Sequence, residues 1–101
     1  MYVKIHVVAS NYGIREVIAV ADEDLIGKIL REKHVEFKVS ESFYKGEKKT
    51  EAEVIDIIKK AGNINFIGKQ AVVAGLKAGV ISKESIITIQ GIPHAQTFAL
   101  Q

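Results

Sequence analysis

Asn65-Phe66-Ile67-Gly68-Lys69-Gln70-Ala71-Val72-Val73-Ala74-Gly75-Leu76-Lys77-Ala78, followed by Gly79, is the stretch on which the fold turns. Beyond Asn65 its only polar side chains are Lys69, Gln70 and Lys77, so residues 65–78 are expected to form one largely buried helix, with Gly79 as its stop. Ile67, Ala71, Ala74 or Gly75, and Ala78 fall on a stripe of small residues that lets the helix approach another element closely. Lys69, Gln70, Val73 and Lys77 share the opposite strip, the only part expected to see water. Such a helix needs a sheet to cover, and the flanking sequence supplies strands.

Residues 2–9 alternate Val3, Ile5 and Val7 with Lys4, His6 and Val8, the period of a half-buried strand. Turn formers Ser10-Asn11-Tyr12-Gly13 lead into residues 15–21, apolar on both faces after Glu16, so the pair reads as an antiparallel hairpin with its second strand the more central. Asp22 stands where a helix N-cap belongs, Glu23 and Asp24 suit the positive end of a helix dipole, and Leu25, Ile26, Ile29 and Leu30 make a stripe. A helix over residues 22–32 is therefore expected. Residues 35–39 alternate cleanly as a third strand. Residues 40–49, with Gly46 and the cluster Lys45, Lys48 and Lys49, read as an exposed, mobile loop. Thr50 and Glu53 form a capping box that opens a second helix carrying Val54, Ile55, Ile58 and Ala61, with Gly62 as its stop. Residues 86–90 make a fourth strand ended by Gly91 and followed by Ile92-Pro93-His94-Ala95-Gln96. The order β-β-α-β-α-α-β points to an α+β fold: a mixed four-stranded sheet with three helices packed mainly on one face, strand order left open.

Composition sets the bounds. At 101 residues, 48% hydrophobic, 26% charged and with a single proline, the chain reads as one soluble globular domain over residues 1–101, with 97–101 as a flexible tail. The absence of cysteine removes disulfides, thiolate nucleophiles and cysteine-held metal sites. A formal charge of +2 permits an anionic partner without requiring one. Residues 1–10 alternate rather than form a secretory signal, and the longest apolar runs, 17–21 and 71–76, are far short of the roughly 20 residues needed to span a bilayer. A cytoplasmic protein is expected. High lysine plus glutamate, fifteen isoleucines and no cysteine also suit a thermophilic source.

Four segments in order, Met1-Tyr2-Val3-Lys4-Ile5-His6, Asp22-Glu23-Asp24-Leu25-Ile26-Gly27-Lys28 leading to Leu30-Arg31, Asn63-Ile64-Asn65 with Gly68 and Ala71-Val72, and Gly91-Ile92-Pro93-His94-Ala95-Gln96, resemble the archaeal domain of unknown function 424 family. The resemblance covers nearly the whole chain up to residue 97. It implies a small archaeal protein suspected of RNA or translation-related roles, and it implies no catalytic residues. Residues 8–15 in the first hairpin form a longer segment than the family pattern.

Three clusters carry candidate chemistry. Gly62-Asn63-Ile64-Asn65-Phe66-Ile67-Gly68-Lys69-Gln70 superficially looks like a P-loop but has five residues where four are needed, lacks the following Ser or Thr, and follows a helix. What remains is a helix start capped by Asn65, with backbone N–H groups near Gly68 and Lys69 able to hold one anion; a capped start with a close-packing glycine is the plainer alternative. The second cluster is His94 with Gln96. A helix of about 13 residues at ~1.5 Å each runs roughly 20 Å, and a strand of five residues at ~3.3 Å returns roughly 17 Å, which would bring Asn63, Asn65 and Lys69 beside His94 and Gln96. A lone histidine is more often structural than a ligand. The third is the lysine set Lys45, Lys48, Lys49, Lys59 and Lys60, a basic surface for phosphates if the loop folds over the second helix, though Glu41, Glu47, Glu51 and Glu53 make an ordinary solvated surface the plainer reading.

His6, His34 and His94 lie in separate elements, so no metal site is expected, and neither a cofactor nor a catalytic residue is assigned. The favoured function is a non-enzymatic RNA-binding or ribonucleoprotein-binding protein. The alternative is a protein-interaction or homo-oligomerising module using Val8, Val73 and the tail Phe98-Ala99-Leu100. A third is a small enzyme using His94.

Overall fold

The computed structural model describes residues 1–98. Its first unit is the expected hairpin, β1 (Tyr2–Ser10) paired antiparallel with β2 (Gly13–Ala21) in unbroken register from Tyr2↔Ala21 to Ser10↔Gly13. Then come β3 (Ile29–Glu32), β4 (Val35–Lys38), α1 (Glu41–Tyr44), β5 (Glu47–Lys48), α2 (Glu51–Ile58), β6 (Ile64–Ile67), α3 (Lys69–Ala78), β7 (Ile87–Ile89) and β8 (Ile92–Thr97). The fold is α+β, but its main sheet has six strands in the order β5-β1-β2-β6-β8-β7, with β3 and β4 forming a separate hairpin. The β2–β6 pairing is parallel and the others antiparallel, so the sheet is mixed. The expected four-stranded sheet is thus too small, and the reasons are local.

The expected helix over 65–78 begins four residues late. Residues 64–67 instead form a central strand, with Ile64, Phe66 and Ile67 buried and Phe66 opposite Val20 in β2. Gly68 separates strand from helix at φ +111°, a conformation no helix interior accepts. An apolar run bounded by glycine is ambiguous between buried strand and buried helix, and here both occur in succession. From Lys69 onward the reading holds: Ala71, Ala74 and Gly75 are buried, Val73 is exposed, and Gly79 closes the helix in the left-handed region. A Cβ on Gly75 would sit 3.0 Å from Phe66, so glycine there allows the helix to touch the sheet.

The expected helix over 22–32 is absent. Only one 3-10 turn forms at Glu23–Leu25, after which Gly27 at φ +86° turns the chain into β3. Reciprocal bonds from Gly27 N to Val39 O and from Val39 N to Lys28 O close the base of the β3–β4 hairpin. Leu25 and Leu30 are still buried, but from a turn and a strand. The supposed mobile loop is also ordered: Ser40 caps α1 by accepting from Phe43 N, and Tyr44 is buried, its phenol pKa pushed up to about 12 by loss of water. Gly91, expected to end the last strand, is the turn of a third hairpin whose return strand is β8.

α2 and α3 cover one face of the sheet, enclosing Val20, Phe66, Val54, Ile58 and Ala74. The other face is partly covered by α1 and by the β3–β4 hairpin, where Ala19, Ala21 and Ile67 meet Leu30, Val39 and Tyr44. α2 and α3 thus pack on one face, and the four-residue α1 lies on the other. The capping box at Thr50 and Glu53 forms as expected, at 3.2 Å and 2.9 Å, and the bond from the Thr50 backbone and side chain holds the Glu53 carboxyl below its ordinary pKa. No helix among the described residues is long and apolar enough to cross a membrane. Thr97, expected in a flexible tail, is the last residue of β8, and its hydroxyl accepts from Ile64 N and donates to Gly62 O. Ala99, Leu100 and Gln101 lie outside the described residues.

Candidate functional site: the open face of β6 and β8

β8 pairs antiparallel with β6, placing Gln96 opposite Asn65 and His94 opposite Ile67. Strand alternation sends Phe66 and Ala95 toward the helices, and Asn65, Ile67, His94 and Gln96 to the other face. The Gln96 amide donates from Nε2 to Asn65 Oδ1. Asn65, His94 and Gln96 are thus brought together, but by strand pairing and not by a strand returning along the helix. Asn63, just before β6, accepts at its carbonyl from Ile18 N, and its Nδ2 lies 3.5 Å from Glu16 O.

His94 is buried and its Nδ1 lies 2.7 Å from the Phe66 carbonyl oxygen. A carbonyl oxygen only accepts, so Nδ1 carries the proton and Nε2 is left as a bare acceptor. Burial lowers the His94 pKa, with the bond to Phe66 O opposing it more weakly, so the ring is neutral at pH 7. Phe37 of the β3–β4 hairpin packs on the imidazole at 4.7 Å between ring centres. Every fully buried polar side-chain atom among the described residues has a partner, and none belongs to Nε2, so that nitrogen meets solvent. Beside it is a depression of about 280 Å³ lined by Ser85, Ile87, His94, Ala95, Gln96 and Phe98. Phe98 is 76% exposed there, and Gln96 is exposed beside it. The arrangement offers a flat ring, an amide with both donor and acceptor, and a neutral imidazole acceptor.

Lys69 and Gly68 do not join this group. The start of α3 is already occupied by a protein carboxylate: Asp22 accepts from Gln70 N at 3.1 Å and Ala71 N at 2.8 Å. The expected anion cradle is therefore filled, and neither Asn65 nor any neighbour caps the helix. Gly68 is required by the same contact, since a Cβ there would fall 2.3 Å from the Asp22 carboxyl carbon. Lys69 instead borders a surface with Asp22, Glu23, Asp24 and Gln70.

Nor do the lysines form one surface. Lys48 lies 3.6 Å from Glu23 and over the Tyr2 ring at 5.9 Å, while Lys49 lies 3.1 Å from Glu47. These pairs are exposed enough to contribute little to stability. Lys45 follows α1 on the surface, whereas Lys59 and Lys60 sit beyond the far end of α2, about 12 Å of helix away. Lys60 borders a groove of about 380 Å³ with Arg15, Glu16 and Asn63. No group of three His, Asp or Glu side chains among the described residues is placed to hold a metal.

Sequence reasoning misses Phe37 and Ser85, gives Asp22 to a helix of its own and places Phe98 in an apolar interaction tail. One signal for Asp22 exists: Gly68-Lys69-Gln70 gives α3 no local N-cap side chain, so its first N–H groups must be satisfied from elsewhere.

No curated protein matches this chain. A crystal structure of an uncharacterized conserved protein from Methanopyrus kandleri is similar, with 26% sequence identity and a TM-score of 0.78 over 96% of this chain and 90% of that one. The family described as Protein of unknown function (DUF424) matches residues 11–100, which include every strand of the open face, and the chain belongs to that family.

Proposed function

We propose that this chain is a non-enzymatic RNA-binding protein that takes unpaired bases on the open face of β6 and β8. The reading rests on one observation: the exposed Phe98 ring and Gln96 amide flank a depression that His94, whose Nε2 has no hydrogen-bond partner among the described residues, also lines. Unpaired bases present a face for stacking and an edge of donors and acceptors, the two things this surface offers. Duplex RNA hides both. Because the imidazole is neutral and fixed in one tautomer, it selects a donor on the base edge and does not act as a phosphate contact.

Phosphate affinity has to come from cations outside the ion pairs. Arg15, Lys59, Lys60 and Lys83 have no carboxylate within salt-bridge distance among the described residues. Arg15 shares the face of Val17 and Ala19 by alternation, and Ala19 is opposite Asn65. The loop lysines add a secondary attraction, Lys45 as a further cation outside the ion pairs and Lys48 and Lys49 because exposed ion pairs exchange readily for phosphate.

Fluorescence anisotropy with short single-stranded and duplex RNA between about 50 mM and about 200 mM salt tests the proposal. Single strands should bind more tightly and lose affinity steeply as salt rises. Phe98→Ala should weaken binding by the worth of one stacked base, roughly 1–3 kcal/mol, without changing the salt slope. Lys59→Glu with Lys60→Glu should flatten that slope. No binding of either RNA at about 50 mM salt overturns the reading.

A further inference from the structure

The β1 strand has an outer edge that is only partly covered. β5 pairs with Tyr2 and Val3 and no further. Lys49 N donates to Met1 O, so the odd-numbered residues of β1 turn their backbone groups outward. Gly46 then closes the edge, because its backbone lies so near the Val3 carbonyl and Lys4 Cα that a side chain there would strike both. Beyond Gly46 no strand among the described residues pairs with residues 5–10, although His6 turns its side chain to α1, stacking on Phe43 at 4.6 Å with Nε2 2.8 Å from Phe43 O; by alternation Ile5, Val7 and Ala9 point N–H and C=O groups away from β2.

Natural edges are usually protected by lysine, proline or a bulge. Residues 5–10, Ile-His-Val-Val-Ala-Ser, contain no proline and no Lys, Arg, Asp or Glu, and their register with β2 is unbroken. Apolar surface lies on both sides of this strand: Val7 is 66% exposed on the α2 face and Val8 48% on the other, with Ile14 at 77% on the neighbouring strand. The opposite sheet edge, β7, is only three residues long. The open stretch of β1 is therefore the place where a further strand would add.

We propose that the occupant is a second copy of this chain, pairing antiparallel through residues 6–10 of β1 about a twofold axis at Val8. The segment matches itself. With Val8 facing Val8 of the second copy, Val7 faces Ala9 and His6 faces Ser10, so no like charges are opposed and side chains of equal parity share a face. Val7 and Ala9 carry the outward backbone groups and would exchange about four hydrogen bonds across the axis. A register shifted two residues toward the N-terminus would drive Ser10 of one copy against Gly46 of the other. The geometry joins two six-stranded sheets into one, with both helical layers on one side and both His94 faces on the other. This inference stands apart from the RNA-binding reading, since it uses a different edge and different residues. Five residues a side is a small contact, so association should depend on concentration.

Sedimentation velocity from about 10 µM to about 1 mM reads the association directly. The intact chain should shift from monomer to dimer across that range. Val7→Pro, which removes an outward N–H that β2 does not use, should leave a folded monomer. Val8→Lys and Val8→Glu, each placing like charges face to face at the axis, should also be monomeric alone, and an equimolar mixture of the two should recover the dimer. This rescue is independent of how well the proline variant folds. A wild-type chain that stays monomeric throughout overturns the proposal, as does a dimer unaffected by the Val8 charges or a mixture that does not recover.

Discussion

The two halves of β2 belong to one unbroken strand and have opposite fates. Ile18, Ala19, Val20 and Ala21 are buried, whereas Gly13, Ile14, Arg15 and Glu16 are exposed, Ile14 at 77% against 0% for Val20. The inner half gains β6 as a parallel neighbour and α2 and α3 as a cover; the outer half pairs with β1 alone among the described strands. Alternation thus specifies a strand and its faces, while burial is decided by segments that arrive 30 or more residues later.

The comparison breaks most visibly at Phe66, opposite Val20 and fully buried. Phe66→Ala removes the largest side chain of the helix-side core and leaves a cavity between sheet and α3, at an expected cost of about 3–5 kcal/mol in urea unfolding. A loss below about 1 kcal/mol would mean that the core relaxes into the space.

Next comes the Asp22 carboxylate, which joins the end of β2 to the start of α3. Asp22→Ala leaves the Gln70 and Ala71 N–H groups without their acceptor in a largely buried place, an expected cost of about 2–3 kcal/mol. Gly68→Ala should also be destabilising, because its Cβ meets that carboxylate in a backbone conformation that disfavours side chains. The two substitutions share one contact, so the double variant should cost less than the sum. Simple additivity would show that Gly68 is needed for its backbone angle alone.

This junction is also where sequence and structure part. The hairpin, the capping box and the buried stripe of α3 are readable because each rests on contiguous sequence: period-two alternation around a turn for the first, residues three or four apart for the other two. Ile64-Asn65-Phe66-Ile67 could not be assigned by period, since four apolar-rich residues before a helix suit either state. Asp22 looked like the cap of its own helix because its true partner is 48 residues away. At the candidate site, the meeting of Asn65 with Gln96 was anticipated through a wrong path: the chain does return, but through the β7–β8 hairpin. Phe37 escapes the sequence, and Phe98 reads only as part of an apolar tail, because strand register and the separate β3–β4 hairpin are what bring them to His94.

A smaller effect follows from His94, at the border between covered and open sheet. Its folded pKa lies below the ordinary value of about 6.5 because burial disfavours the charged ring. As pH falls through about 6.5, the unfolded chain takes up a proton that the folded chain resists, so stability complete above that pH declines below it toward the folded pKa. His94→Phe removes this contribution, and its melting temperature should change less than wild type between about pH 7 and about pH 5. Parallel pH profiles for the two proteins would show that the ring titrates alike folded and unfolded.

The smallest expected effect lies at Ile14, and it tests the outer half of β2 most directly. Ile14→Thr keeps a β-branched residue in a strand position, so the backbone preference is retained while apolar surface is lost. With the side chain already 77% exposed, folding removes little of it from water, and stability measured on dilute monomer should change by less than about 0.5 kcal/mol. The same substitution at Val20, where nothing is exposed, would place a hydroxyl in the core and cost more than about 1 kcal/mol. If Ile14→Thr proves as costly as Val20→Thr in the dilute chain, the arm is covered in solution by packing that its single-chain fold does not provide, and β2 does not have two halves at all.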